Sequence, residues 1–394
     1  MFILKEILLL SEKKYNNQLL VVGITSKYII TGLSVALETF LGGLKAQSVK
    51  YILIDLSIGM SSKRASIFSL YRLACVILVL FKVLWNLRKV NIVYVTMASS
   101  RLGFLRDLSI ILMAKTFKRK LVFHLHGGGY IDFYTQSSPF LKFIIRHSLY
   151  QVDKIIVLGE LLKHQFTFLS PKNRPCIIVI PNGLPYEPSN KIRKKSISKN
   201  KPIRLLYLSN MIPSKGYMDV LEACKILKNK KIDFICEFAG SFISTGSSLD
   251  SLEPTLAKEI FFETIRKEKL SSQVKYHGVA VGKDKHNLFS NANIFLLPTF
   301  YHGEGQPISI IEALSYGLPV ISTRFRGIPE QITNNKNGIL LKIINAKNIT
   351  NGIEKIISSS SNYENMSIEA YKRYKTRFTK EHHLNRLIPA VLNF

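Results

Sequence analysis

Apolar residues in the first half of this chain fall in short runs rich in β-branched side chains, at 19–24, 51–56, 92–96, 121–125, 154–157 and 177–180. Helix-length segments separate them, which predicts a parallel sheet with crossover helices. The pattern restarts at 203–208 and continues at 234–239, 274–277, 294–297, 320–322 and 339–341. That predicts a second doubly wound α/β domain. Residues 366–393 read as helical. Pro181-Asn182-Gly183 closes the first series on a strong turn signal. Residues 184–202 are polar, basic and poor in large apolar side chains, as an interdomain linker would be. The domain boundaries are therefore 1–183, 184–202, 203–365 and 366–394.

In parallel sheets of this kind ligands sit beyond the carboxyl ends of the strands. The loops there are thus the places to search. Gly32 precedes a helix after the first run, in the segment from Tyr28 to Ser34. His126-Gly127-Gly128-Gly129 follows the fourth, where three glycines let backbone approach a ligand closely. His124 lies two positions back on the same strand face and is expected in the core. Asn210 to Lys215 follows the seventh run, and His277-Gly278-Val279 follows the ninth. Lys215 lacks the glycine spacing of a P-loop.

The richest stretch runs from Tyr301 to Glu330. Glu304 and Glu312 stand eight positions apart, and Glu312 is the only charge between Glu304 and Arg324. Pro307 suits the first position of a helix and Gly317 the residue just past its end. On that helix Ser309, Glu312, Ser315 and Tyr316 share a face, opposite Ile310, Ile311, Ala313 and Leu314. The ordinary expectation puts Glu312 on the wet side. The competing one is a binding site, because the polar face is narrow and the helix start offers free N–H groups to a phosphate.

Size and charge narrow the class. The chain has 394 residues, enough for two domains. Its four cysteines (Cys75, Cys176, Cys224, Cys236) show no CxxC spacing, which argues against a zinc or disulfide framework and fits a reducing compartment. Cys75, Cys176 and Cys236 lie in apolar runs and are expected in the core, while His382 and His383 are expected at the surface. Residues 1–200 hold 29 Lys and Arg against 9 Asp and Glu, a net +20 of the chain's +29. A basic half favours an anionic partner. The apolar residues 1–10 are split by Lys5 and Glu6, with no cleavage site after them, so no secretory signal is expected. The longest uncharged apolar run, 73–81, is nine residues, short of a membrane span of about 20. Localisation in the cytoplasm follows, with peripheral contact at the inner face of the membrane through the base-edged segment 63–89.

Glu304, Glu312, the Gly-Leu-Pro-Val at 317–320 and the Gly-Ile-Pro-Glu at 327–330 together resemble the nucleotide-sugar site of retaining GT-B glycosyltransferases, the group 1 or family 4 enzymes. The resemblance spans most of the chain and is strongest over 204–330. It implies two Rossmann-like domains facing a cleft, with the last helix crossing back to the first domain. It further implies a UDP- or GDP-sugar donor and no cofactor. In the family's terms Glu304 would bind the transferred sugar's hydroxyls and Glu312 the ribose. Lys215, with the N–H groups of Ile308 and Ser309, would hold the diphosphate. His126 would contact the sugar, Gly32 would approach the donor, and the backbone of Gly278 and Val279 would recognise the base. Two departures stand out. Asn210 occupies a place where many members have arginine, and Pro307 one where glycine is common, which removes a cation and a backbone donor.

No Asp-x-Asp pair occurs, so metal-independent transfer is expected, with no metal ligands. The expected acceptor is a saccharide, lipid-linked, in surface-polysaccharide assembly. Two alternatives compete: a GT-B relative without transferase activity, such as an epimerase or binding subunit, and a basic nucleic-acid-binding protein. The second explains the charge but not the two glutamates, and aromatics do not interleave with the basic runs.

Overall fold

The computed structural model describes residues 19–27, 31–57, 70–172, 174–186, 195–198, 200–245 and 250–394, with no side-chain description for 70–73. Tyr28, Ile29 and Ile30, the basic pair Lys63 and Arg64, the start of the chain and about half of the linker lie outside them.

Every expected apolar run is a strand. The first sheet holds β1 (Leu19–Gly23), β2 (Tyr51–Asp55), β3 (Ile92–Thr96), β4 (Lys120–Leu125), β5 (Lys154–Val157) and β6 (Cys176–Val179) in the order β2-β1-β3-β4-β5-β6. The second holds β7 (Ile203–Leu208), β8 (Phe234–Ala239), β9 (Val274–Tyr276), β10 (Ile294–Leu297), β11 (Val320–Thr323) and β12 (Gly338–Leu341) in the order β12-β11-β10-β7-β8-β9. All the strand pairs run parallel. Each sheet is covered on both faces by helices, which is why its strands read as unbroken apolar runs rather than alternating ones. The fold is GT-B: two Rossmann-like lobes with a cleft between their carboxyl-terminal strand ends.

In the first lobe the crossovers are α1 (Gly32–Ala46), α2 (Leu70–Asn86), α3 (Arg101–Thr116), the short α4 (Tyr130–Thr135) and α5 (Pro139–Leu149). Local sequence sets their starts. The Thr31 and Ser34 side chains form a reciprocal capping box on α1, Ser100 caps α3, and Ser138 caps α5 ahead of Pro139. In the second lobe they are α6 (Tyr217–Asn229), α7 (Pro254–Lys267), α8 (Gly282–Asn291), α9 (Ile308–Ser315) and α10 (Ala346–Ile357). α11 (Ser360–Arg377) stays with this lobe, where Tyr363, Met366, Ala370 and Tyr374 enter its core. The crossing back begins only after Phe378, later than position 366. Thr379 caps α12 (Lys380–Leu392), which packs Leu387, Ile388, Val391 and Leu392 onto Leu19, Val21 and Phe40 of the first lobe.

Several expectations change. Pro307 precedes α9 as its N-cap, with extended ψ of 119°, rather than opening it. Glu312 is not on a wet face: it is buried, as is Ser315 beside it. Cys176 is exposed and Cys75 half-exposed, because β6 is a sheet edge and α2 lies on the surface; Cys224 and Cys236 are the buried pair. His383 is buried on the inner side of the crossing helix, while His382 is exposed. Gly317 does follow α9, at φ +66°.

Candidate active site

Four of the loops that the alternation places at strand ends converge on the cleft. The loop after β7 turns through a short 3-10 segment, Pro213–Lys215, into Gly216. Gly216 has φ +75°, and a Cβ there would stand 2.4 Å from the Pro298 carbonyl oxygen, so glycine is required on both counts. The Ser214 N–H and hydroxyl both donate to the buried Asp250 carboxylate, at 2.9 and 2.7 Å, which fixes the loop from below. The Ser214 carbonyl in turn accepts from the Phe300 N–H at 2.8 Å, which ties this loop to the one after β10.

Lys215 is thereby aimed at the second loop. Its Nζ lies 3.4 Å from Glu304 Oε2, donates to Ser209 Oγ at 3.2 Å, and sits 5.3 Å from the centre of the Tyr301 ring. Glu304 is itself buried, and its Oε2 also accepts from Thr299 Oγ1 at 3.4 Å. A low-dielectric setting strengthens the lysine–carboxylate attraction. Burial pushes the Tyr301 phenol up, with the Glu304 charge adding to it, so this ring stays neutral. Asn210, expected beside the lysine, presents an exposed side chain instead; the partner brought to Lys215 is Ser209.

From the first lobe the turn after β4 comes into direct contact. The Gly128 N–H points at the Gly303 carbonyl at 3.4 Å. A Cβ on Gly128 would fall 2.1 Å from the Glu304 carbonyl oxygen, and one on Gly305 would fall 2.0 Å from that of His126. The two glycine turns therefore pass at a distance no side chain allows. His126 stacks on His124 with ring centres 3.9 Å apart, and the Tyr94 hydroxyl meets His124 Nδ1 at 2.7 Å. Burial pushes His126 down to about 3, with nearby His383 adding to it, so the ring is neutral at ordinary pH. Its Nε2 is enclosed and has no hydrogen-bond partner, an unmet hydrogen-bonding capacity.

The helix end lies alongside. α9 starts at Ile308 with no side-chain cap, so the N–H groups of Ile308 and Ser309 open its positive end. The position of a Cβ on Gly32 is 3.6 Å from Ile308 Cδ1, so the start of α1 faces the start of α9 across the cleft. One turn into α9, Glu312 Oε1 is 2.5 Å from Lys285 Nζ of α8 and accepts from the Tyr186 hydroxyl at 2.8 Å. Burial and then the Glu312 charge raise the Tyr186 pKa, so Tyr186 donates. Tyr316 is pushed up to about 12 in the same way, and its hydroxyl meets His286 Nδ1 at 2.7 Å.

Gly278 and Val279 stand further out. Gly278 has φ +66°, and its carbonyl accepts from the Gly240 N–H at 2.7 Å, while Val279 is 65% exposed. Thus Glu304, Lys215, His126, Gly32 and the start of α9 come together, Glu312 sits one turn deeper, and Asn210 and Val279 lie open at the edge.

Sequence reasoning missed Lys285, Tyr186 and Ser209. It also missed the contacts that clasp the lobes. The Asn182 N–H donates to Gln306 Oε1 at 2.7 Å, and Gln306 Nε2 to the Leu158 carbonyl at 3.1 Å. Glu330 accepts from the N–H groups of Glu160 and Leu161 at 2.9 and 2.7 Å, and Arg326 pairs with Asp132. Only proximity in the fold reveals these; none has a local pattern. Among the described residues no three His, Cys, Asp or Glu side chains group as a metal site would require.

Residues 188–373 match the family model described as "Glycosyl transferases group 1". The amylovoran biosynthesis glycosyltransferase AmsK of Erwinia amylovora is 31% identical over 145 residues, 36% of this chain and 32% of that protein. The capsular polysaccharide biosynthesis glycosyltransferase CapM of Staphylococcus aureus is 24% identical over 243 residues, 59% of this chain and 60% of that protein. The matched stretches thus cover less than two thirds of either relative. The crystal structure of Anabaena Alr3699/HepE in complex with UDP superposes with a TM-score of 0.70 at 16% identity, over 96% of this chain and all of that one.

Proposed function

We propose that this chain, which has the GT-B fold and matches the group 1 glycosyl transferase model over residues 188–373, is a member of that family and moves a sugar from a nucleoside-diphosphate donor to a saccharide acceptor. The observation that carries this is the Lys215–Glu304 pair, 3.4 Å apart and roofed by the His126 turn of the other lobe. A buried carboxylate can bind sugar hydroxyls, and the ammonium beside it meets the charge that develops on a departing diphosphate. The open start of α9 adds the N–H groups of Ile308 and Ser309 to the same phosphates. Glu312, one turn along, suits the paired hydroxyls of a ribose. His126 is neutral, so it offers the sugar a hydrogen bond rather than acting as a charged group or general base. Gly32 keeps the opposite wall low, and the outer Gly278–Val279 backbone is where the base would lie, with Asn210 at the rim.

The transfer proceeds with retention and without metal. The bond from the anomeric carbon to the diphosphate oxygen breaks through an oxocarbenium-like state. The acceptor hydroxyl bonds to that carbon from the same face, and its proton passes to the departing phosphate oxygen. The acceptor is a lipid-linked saccharide in surface-polysaccharide assembly at the inner face of the cell membrane. The names of the amylovoran and capsular relatives support this setting, and the UDP held by the Anabaena protein supports a nucleotide donor.

A thermal-shift screen of the whole protein against UDP- and GDP-sugars tests the proposal, since a ligand of the native state raises the melting temperature by mass action. The matching donor is expected to stabilise, and its turnover is expected to require acceptor. Glu304→Ala should abolish transfer while leaving nucleotide affinity largely intact. Near-normal transfer by both Glu304→Ala and Glu312→Ala would remove the site assignment.

A further inference from the structure

We infer that the outer face of the first lobe, built from α2, α3 and α5, docks on an anionic phospholipid bilayer. The three helices form one layer. Each belongs to a connection that moves the same way across the sheet, from β2 to β3, β3 to β4 and β4 to β5. Right-handed crossovers put all three on one side. α2 packs on α3 and α3 on α5, and their inner sides fill the core with residues such as Val83, Phe104 and Ile145.

Their outer sides are apolar as well. α2 shows solvent Ile77, Leu78, Phe81, Leu84 and Trp85, with Phe81 61% and Trp85 66% exposed and their rings stacked at 6.4 Å. These positions fall within one stripe at helical spacing. α3 adds Leu102, Leu105 and Leu112, and α5 adds Phe140 and Phe143, at 74% and 57% exposed. A contiguous apolar face of this kind marks an interaction surface.

Charge selects the partner. From Leu70 to Tyr150 twelve Lys and Arg stand against two Asp. Both aspartates are engaged, Asp107 with Arg106 and Asp132 with Arg326. Exposed Lys82, Arg88, Lys89, Arg101 and Arg146 border the apolar side chains. Phe and Trp beside Lys and Arg on a helical face suit the interface of an anionic leaflet, where rings enter the acyl boundary and cations meet headgroups. No described helix is long and apolar enough to cross a membrane. Docking does not depend on sugar transfer. It deepens that proposal only in bringing a lipid-linked acceptor to the cleft end of the same layer, where α3 begins.

Trp85 is the chain's only tryptophan and reports directly. The protein is titrated with phosphatidylglycerol vesicles and with phosphatidylcholine vesicles, with and without brominated acyl chains. A blue shift and bromine quenching are expected on the anionic vesicles, weakened by high salt. Phe81→Ser with Leu84→Ser should lower partitioning about tenfold or more, from the lost apolar burial. Lys82→Glu with Lys89→Glu should lower it by about tenfold or more on anionic vesicles. These positions are exposed, so thermal melts should be unchanged. Absence of a shift on anionic vesicles, or partitioning unaltered in both variants, overturns the inference. So does self-association that Phe81→Ser with Leu84→Ser abolishes while vesicles leave Trp85 unaffected, which would assign the face to a second copy. Vesicle binding without any donor-induced thermal shift would sink the transfer proposal alone.

Discussion

Two buried carboxylates give this cleft its character, and they are held differently. Glu304 shares its charge with a lysine 3.4 Å away. Glu312 is held more tightly, by Lys285 at 2.5 Å and the Tyr186 hydroxyl at 2.8 Å. Removing the cation leaves a buried, uncompensated carboxylate, so Lys285→Met should cost about 3 kcal/mol of stability, measurable by urea unfolding. Tyr186 and Lys285 both meet Oε1 of the carboxylate that the proposal gives to a ribose. Tyr186→Phe takes one of the two donors from that oxygen, and if Glu312 binds ribose the nucleotide should bind about fivefold tighter, the worth of one hydrogen bond. Calorimetric titration with UDP and GDP reads the change; weaker binding would make Tyr186 a supporter of Glu312 rather than its competitor.

At the level of elements, the two glycine turns decide how close the lobes come. Gly128→Ala would drive a methyl group against the Glu304 carbonyl 2.1 Å away, backbone that cannot yield without moving the turn. Transfer should fall by about a hundredfold, since small misplacements at a reacting centre are costly. The melting temperature of each lobe's core should hardly change; equal losses of fold and activity would show that the turn serves packing alone. The strands that carry these turns were legible because a sheet covered on both faces demands continuous apolar runs, and all twelve are present. The meeting of His126, Lys215 and Glu304 at the cleft was legible because each follows such a run in the loop at its end. For Glu312 the two readings of the sequence parted, and only the wet-face one is overturned. A helix considered alone has a wet side, but Tyr186 and Lys285, distant in sequence, cover it. Cys176 failed in the opposite sense: its apolar run is an edge strand with one side open. Pro307 differed by one position, the usual uncertainty of a helix end.

The whole molecule is joined by contacts that cross the cleft and by one helix that crosses back. Glu330 caps the Glu160–Leu161 turn of the other lobe, so Glu330→Ala should speed amide exchange at those two N–H groups and loosen lobe closure. Hydrogen exchange followed by mass spectrometry checks this, with protection unchanged if the clasp is incidental. The crossing helix α12 is seated by His383, whose Nδ1–H donates to the Pro181 carbonyl at 2.7 Å and whose Cβ fills the space beside Gly183. Burial holds His383 at about 4, below the ordinary value of 6.5, with His126 at about 3 and His124 also lowered. A native state that refuses protons the unfolded chain accepts loses stability as pH falls. The contribution is therefore complete above pH 6.5 and for His383 drains away between 6.5 and about 4, a window above that of Asp55 and Asp153, whose carboxyls are held below their ordinary 3.8. Melting temperature should drop across that window, and the slope should flatten in His383→Gln, whose amide can keep the bond to Pro181 without taking up a proton. A slope identical in wild type and variant would place the pH sensitivity in His124 and His126 at the cleft, rather than at the seat of the crossing helix.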